Sequence, residues 1–151
     1  MIDIKLIKEE IEKNFKLDEV KGFFVSGFDK SDNLLFSKWN IFADKTLDVL
    51  SEEIFESEVK WKKNLDTLVV DVVKNKIEMR SLDDLKDIKM KKYWIFVWDT
   101  VDMDLGSAIL PDSKEITDVK HAIYLIKQKI NFSSSVVNIY VFTTVRFTLY
   151  K

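Results

Sequence analysis

The stretch Gly106-Ser107-Ala108-Ile109-Leu110-Pro111 contains one of the three glycines and the only proline of the chain. Proline cannot donate a hydrogen bond to a sheet, so Pro111 predicts the end of a strand that runs from Leu105 to Leu110. Asp112 and Glu115 follow with the spacing of a capping box, which satisfies free backbone N–H groups at the start of a helix. The stretch therefore predicts a strand that passes directly into a helix.

The predicted helix after Pro111 has the most regular pattern in the sequence. Its aliphatic residues recur at every third or fourth position, which places them on one narrow face. These residues are Ile116, Val119, Ile123, Ile126 and Ile130. We expect that face to pack against a sheet.

Two more helices and a hairpin are predicted in the amino-terminal half. Residues 3–17 have the apolar spacing of an amphipathic helix. Asp44 can cap a second helix that extends to about residue 62 and places Trp61 on its core face. Between these helices, the apolar runs Phe23–Phe28 and Leu34–Ile41 flank a short polar turn, which is typical of a hairpin.

The remaining apolar runs predict further strands at Leu65–Val73, Tyr93–Trp98 and Val136–Tyr150, the last with a bend or bulge at Thr143 and Thr144. The order is then α-β-β-α-β-β-β-α-β. The 151 residues suffice for one core, and no linker or internal repeat divides them. We expect a single domain over residues 1–151, of the α+β class, with a mainly antiparallel or mixed sheet and about three main helices packed against it.

The composition excludes several kinds of chemistry. Without cysteine the chain cannot form disulfides, thiolate nucleophiles or thiolate metal sites. A net charge of −2, with only two arginines, does not favour binding to nucleic acid or to an anionic membrane. The first residues lack the apolar core of a signal peptide, and no run approaches the roughly 20 apolar residues of a membrane span. We expect a cytoplasmic protein, and no cofactor is predicted.

His121 is the only histidine. It lies on the side of its predicted helix opposite the isoleucine face, so a solvated residue is favoured over a general base. Its neighbours on the exposed side are Tyr124, Leu125 and Gln128. These four residues form a candidate surface for a partner protein.

Two other patterns are interpreted as ordinary surface. Asp99, Asp102 and Asp104 do not have the spacing of a calcium loop, so a solvated turn is favoured over a metal site, as it is at residues 29–33. The lysine-rich stretches 60–63 and 89–94 contain tryptophan, as do surfaces on which unpaired bases stack. Because both tryptophans are predicted to be buried, we interpret the lysines as solvated ends of elements and predict no nucleic-acid binding.

The run Gly106–Pro111, the helix after it and Val137-Asn138-Ile139-Tyr140-Val141-Phe142-Thr143-Thr144 resemble the C-terminal half of the AMMECR-type domain. That family has a Gly-x-Leu-Leu-Leu-Pro strand, a helix and a terminal strand of the Val-x-Val-Tyr-x-Phe kind. Gly22-Phe23-Phe24-Val25-Ser26, the helix from Asp44 and Leu68-Val69-Val70-Asp71-Val72-Val73 follow the family's order.

The family's Arg-Gly-Cys-Ile-Gly signature is absent, since Leu35-Phe36-Ser37-Lys38-Trp39-Asn40 stands at that position. No site residue is therefore carried over. Members of the family accompany, or are fused to, Memo-type and radical-SAM proteins. The resemblance thus implies an α+β accessory domain with such proteins as partners.

Two functions are compatible with these patterns. The first is a cytoplasmic interaction or regulatory module without a catalytic centre of its own. The alternative is a divergent enzyme or small-molecule-binding domain with a pocket near the first hairpin, lined by Lys38, Trp39, Asp99 and Thr100. A further possibility is self-association through an edge formed by Val136–Tyr150.

Overall fold

The structure is a computed structural model that describes residues 2–74, 77–80, 94–99, 106–109 and 137–151. The chain divides into two compact units, Met1–Lys74 with Thr144–Lys151 and Asn75–Thr143, called here the first and the second unit. Each contains a four-stranded antiparallel sheet. The α+β class and the antiparallel pairing are thereby confirmed, while the single domain expected over residues 1–151 stays a prediction.

Ten helices and strands, together with one short 3-10 turn, make up the described part of the chain. In chain order they are α1 (Ile4–Glu12), β1 (Phe23–Phe28), β2 (Leu34–Asn40), α2 (Leu47–Ser57), the 3-10 turn Val59–Trp61, β3 (Thr67–Val73), β4 (Glu78–Arg80), β5 (Trp94–Asp99), β6 (Gly106–Ile109), β7 (Val137–Phe142) and β8 (Thr144–Tyr150).

The two helices of the first unit begin at side-chain caps. The Asp3 carboxylate accepts a hydrogen bond from the backbone N–H of Leu6 at 2.9 Å, and the Thr46 hydroxyl accepts one from that of Val49 at 3.3 Å. The predicted cap at Asp44 is therefore wrong by two residues. The predicted end at residue 62 is also wrong, because the backbone leaves the helical conformation at Glu58 and continues as the 3-10 turn.

Both helices cover one face of the sheet of the first unit, whose strand order is β2-β1-β3-β8. Alternate residues of the strands point toward the helices, as the pleat requires. The apolar core contains Ile7 and Ile11 from α1, Leu47 and Leu50 from α2, and Phe23, Val25, Leu68, Val70, Val72 and Leu149 from the sheet. Leu68, at its centre, is 0% exposed.

In the second unit the strand order is β4-β7-β5-β6, with all described pairs antiparallel. The strand predicted over Leu105–Leu110 is observed as β6, at one edge of this sheet. It pairs with β5 in the register Trp98 opposite Gly106 and Ile95 opposite Ile109.

The predicted order of elements differs from the described structure at two places. The short strand β4 was not predicted, and the terminal run Val136–Tyr150 is two strands, β7 and β8, that belong to different sheets. Local apolar pattern cannot distinguish one bent strand from two, because the choice depends on distant partners. The described residues contain two α-helices rather than the expected three, and the predicted helix over residues 116–130 lies outside them.

Candidate functional site

The residues predicted to bind a partner, His121, Tyr124, Leu125 and Gln128, lie outside the described residues, as does Thr100 of the predicted pocket. Asp99 ends β5 in the second unit, where its backbone is opposite Val137 of β7. The partner surface and the pocket near the first hairpin stay predictions.

Lys38 and Trp39, the other two predicted pocket residues, point to opposite faces of β2. Lys38 is opposite Val25, on the face toward the helices, and its Nζ lies 3.5 Å from Oε1 of Glu58. Trp39 is opposite Phe24, on the other face, and is half-buried. A ligand on one face of the sheet would therefore meet only one of these two side chains.

A small cavity, called here the core cavity, lies between the helices and the sheet. Its volume is about 20 Å³, and its lining includes Ile7, Phe23, Leu50, Leu68 and Ser51. Ser51 is its only polar residue, and the hydroxyl already donates to the Leu47 carbonyl at 2.6 Å. A bound water needs two to four polar partners, so this space is a dry packing gap rather than a ligand site.

Among the residues whose burial the structure describes, Asp71 is the only charged side chain that is fully buried. It is opposite Arg146, whose Nε lies 3.1 Å from both Oδ1 and Oδ2 and whose Nη2 donates to Oδ2 at 3.0 Å. The Thr144 hydroxyl donates to Oδ1 at 3.0 Å. A carboxylate bonded in this way joins β3 to β8.

A second pocket, of about 50 Å³, lies where the loop between α2 and β3 meets the residue after β8. Its apolar floor is formed by Ile2, Val59 and Leu65, and its rim is formed by Lys60, Lys62, Lys63 and Lys151. We call it the lysine pocket. The backbone N–H of Lys151 donates to the Asp66 carbonyl at 2.8 Å, which extends the β3–β8 ladder and fixes Lys151 at the rim.

The positive charge of the lysine pocket is only partly neutralised. Lys60 Nζ lies 2.9 Å from Oε2 of Glu56, and Lys62 Nζ lies 3.5 Å from Oε2 of Glu58. The other two lysines, Lys63 and Lys151, have no carboxylate partner among the described residues. Lys151 Nζ lies 3.5 Å from the carbonyl oxygen of Lys63. Two of the four lysines thus have no side-chain counter-charge within the described ranges.

Trp61 stands beside this pocket and is 67% exposed. Its indole N–H donates to the Glu56 carbonyl at 2.7 Å, and Lys60 Nζ lies 5.0 Å from its ring centroid. The prediction that Trp61 faces the core is wrong. The helix ends before Glu58 and the chain continues as a 3-10 turn, so the Trp61 side chain does not point in the direction that a continuous helix would give it. The lysines on both sides of Trp61 in the sequence were the available signal for exposure.

The two edges of the first sheet differ in how they limit pairing. At β2 the register shifts between Gly27 and Phe28, which indicates a bulge at Leu35, and Lys38 projects from the strand. Bulges and lysines discourage further pairing at a sheet edge. β8, in contrast, pairs with β3 over seven residues without a register shift and contains neither lysine nor proline. No other described strand pairs with its outer edge.

Comparison with protein-family models and with curated protein sequences finds no match to this chain. Within the described ranges, no group of three or more His, Cys, Asp or Glu residues could hold a metal ion. No helix in the part of the chain that the structure describes is long and apolar enough to cross a membrane.

Proposed function

We propose that this chain is a cytoplasmic interaction or regulatory module that binds another protein by adding a strand to the outer edge of β8. The observation that carries the proposal is the contrast between the two edges of the first sheet. β2 has a bulge and a projecting lysine, whereas β8 is regular and has no strand beside it among the described residues. Strand addition to an open edge is a recurrent mode of peptide recognition.

The side chains of β8 define the chemistry of the partner strand. Val145, Phe147 and Leu149 point to the face covered by the helices, and Thr144, Arg146 and Thr148 point to the other face. A matching strand has apolar and polar residues in the same alternation. An acidic residue opposite Arg146 would complement its charge, since that side chain remains 49% exposed beside Asp71.

The resemblance to the AMMECR-type domain supports an accessory role and suggests Memo-type or radical-SAM proteins as partners. The surface of His121, Tyr124, Leu125 and Gln128 is a second candidate for the same interaction. Both ideas leave the chain without a catalytic centre of its own.

A second copy of the chain is an alternative partner, and the sequence of β8 favours it in one register. Antiparallel pairing of two β8 strands centred on Phe147 places Val145 opposite Leu149 and Arg146 opposite Thr148. No like charges then oppose each other across the strands. This pairing would be isologous and would close as a dimer.

The hydrogen-bond pattern between β3 and β8 identifies the residues of β8 at which a substitution would block the outer edge. The N–H of Lys151 donates toward β3, and antiparallel strands alternate this direction, so the N–H groups of residues 146, 148 and 150 point to the outer edge. Thr148→Pro removes one outward donor and leaves the bonds to β3 in place. Thr148→Ala is the matched control, because it changes the same side chain and keeps the N–H.

The test is native mass spectrometry of the tagged chain purified from its own host, with both variants and the unmodified chain. A complex that forms with the unmodified chain and with Thr148→Ala but not with Thr148→Pro supports the proposal. A mass of two chains with the same dependence identifies the second copy as partner. A complex that Thr148→Pro retains, or a monomer alone, contradicts binding through β8. Thermal unfolding of both variants checks that Thr148→Pro is folded, and Thr148→Lys provides a second edge-blocking variant.

A further inference from the structure

The lysine pocket concentrates positive charge that the described part of the molecule does not neutralise. Four lysines surround it, and two carboxylates, Glu56 and Glu58, pair with two of them. Glu58 also pairs with Lys38 of β2, so its charge is shared. Counting these side chains alone, the lysines that line the pocket exceed the carboxylates paired with them by two.

We infer that the lysine pocket binds the phosphate group of a phosphate monoester whose flat aromatic ring contacts Trp61. The chemical class is that of a nucleoside monophosphate. This inference uses residues separate from the outer edge of β8, so it does not depend on the proposed function.

The size of the lysine pocket fits one tetrahedral anion. A cavity needs roughly 10–15 Å³ to hold a single water. The volume of about 50 Å³ is several times larger, yet it leaves no room for a ring system. The remainder of the ligand must therefore lie outside the pocket, on the neighbouring surface.

The kind of cation favours phosphate over carboxylate. A planar carboxylate is best matched by the fork of an arginine, and this rim contains lysines alone. Ammonium groups act as separate point charges that can approach a tetrahedral anion from several directions. A phosphate monoester carries about −1.5 to −2 charges at neutral pH, which matches Lys63 and Lys151, the two lysines that pair with no carboxylate side chain in the described part of the chain.

Trp61 provides the adjoining surface for the ring. Lys60 connects the two features, because it lines the lysine pocket and its Nζ also lies 5.0 Å from the Trp61 ring centroid. The bond from the indole N–H to Glu56 fixes the orientation of the ring, so it need not be ordered again when a ligand binds. Stacking on such a ring is tolerant of the base.

A phosphate monoester attached to an aromatic base occurs in two sources, a free mononucleotide and the phosphorylated end of a single-stranded nucleic acid.

The experiment is a titration of the ¹⁵N-labelled full chain, followed by NMR, with AMP, adenosine, inorganic phosphate and a short 5′-phosphorylated oligonucleotide as separate probes. The signals are the Trp61 indole N–H, assigned with Trp61→Phe, and the backbone amides of residues 60–63.

AMP is expected to shift these signals and to bind at least tenfold more tightly than adenosine. Lys63→Gln with Lys151→Gln should weaken AMP at least tenfold. Lys16→Gln with Lys30→Gln, two exposed lysines outside the pocket, removes the same charge and should leave the affinity within twofold. Trp61→Ala should weaken AMP and leave the binding of inorganic phosphate unchanged. The affinity for AMP should fall as salt is raised.

The inference is overturned if AMP causes no shift at millimolar concentration, if adenosine binds as tightly as AMP, or if the two double variants weaken AMP equally. Binding of inorganic phosphate with no added affinity for AMP overturns the role of Trp61. An oligonucleotide that binds more tightly than AMP, with the same dependence on Lys63 and Lys151, supports the site and identifies a nucleic-acid end as the source. Thermal unfolding verifies that each variant is folded.

Discussion

The first unit contains two small pockets, the core cavity and the lysine pocket, whose lining residues differ in polarity and charge. The core cavity is closed by apolar side chains, and its one hydroxyl is already bonded to a backbone carbonyl. The lysine pocket has an apolar floor, and four of its lining residues are lysines. The comparison shows that unused polar groups, more than empty space, make a hollow a candidate for binding. A substitution in the core cavity should therefore change stability, and a substitution in the lysine pocket should change binding.

The largest effect is expected in the core cavity. Leu68→Ala removes a side chain that is 0% exposed and enlarges the cavity, so it should lower the free energy of unfolding by about 2–5 kcal/mol. Val69→Ala, at the half-buried neighbour on the opposite face, should cost less. Urea unfolding gives both values. AMP titration of the folded Leu68→Ala protein should show unchanged binding, and a change would mean that the two hollows are coupled.

An intermediate effect is expected at Asp71 and Arg146, which join the strands that support both hollows. Arg146→Met leaves a buried carboxylate without its cation and should cost about 3 kcal/mol. Asp71→Asn leaves an arginine that is 49% exposed and can be hydrated, so it should cost only about 1–2 kcal/mol. Urea unfolding of both variants tests this asymmetry, and equal costs would show that burial of Asp71 does not dominate the pair.

A small effect on stability is expected at Trp61. Because the ring is 67% exposed, Trp61→Ala should change the free energy of unfolding by less than about 0.5 kcal/mol. Leu50→Ala, on the core side of α2, is the contrasting variant and should cost about 2–5 kcal/mol. Thermal unfolding distinguishes them. If Trp61→Ala lowers the free energy of unfolding by several kcal/mol, Trp61 packs in the core and is not part of the surface beside the lysine pocket.

The smallest effect concerns Asp29, an exposed charge whose hydrogen-bond partners are all local. Hydrogen bonds from the backbone N–H and then the side-chain amide of Asn33 hold the pKa of Asp29 below its ordinary value. Its contribution to the hairpin is therefore present above the unfolded-state pKa of about 3.9 and is lost as pH falls through the lowered pKa. NMR titration of the carboxyl gives this pKa directly. Asn33→Ala should raise it partway, and an unchanged value would exclude the side-chain amide as a cause.

The sequence predicts local elements well where burial repeats along one segment. The first hairpin and the strand before Val73 are observed at or near their predicted positions, and the first helix is observed but ends at Glu12 rather than at residue 17. The α+β class is confirmed with them. The end of α2 was missed because the break at Glu58 leaves no glycine or proline to indicate it.

The candidate site was only partly visible in the sequence. The sequence shows a basic aromatic cluster at residues 60–63. A helix that continues to residue 62 predicts that Trp61 faces the core, whereas the structure shows that it is exposed. Ile2 and Lys151 could not be assigned to the same pocket, since they are far apart in the chain and meet there only through tertiary packing. The position of β8 at the edge of the described first sheet likewise depends on its pairing with β3, which no local pattern specifies.

Val73, at the end of β3, is opposite Thr144, at the start of β8. Opposed residues of antiparallel strands lie about 5 Å apart, so the second unit leaves the first sheet and returns to it at adjacent points. In topological terms, Asn75–Thr143 is an insertion into a single hairpin formed by β3 and β8. The whole insertion must therefore be synthesised before β8 can pair with β3 and complete the first sheet. Until then β8 cannot cover the edge of β3 with which it pairs.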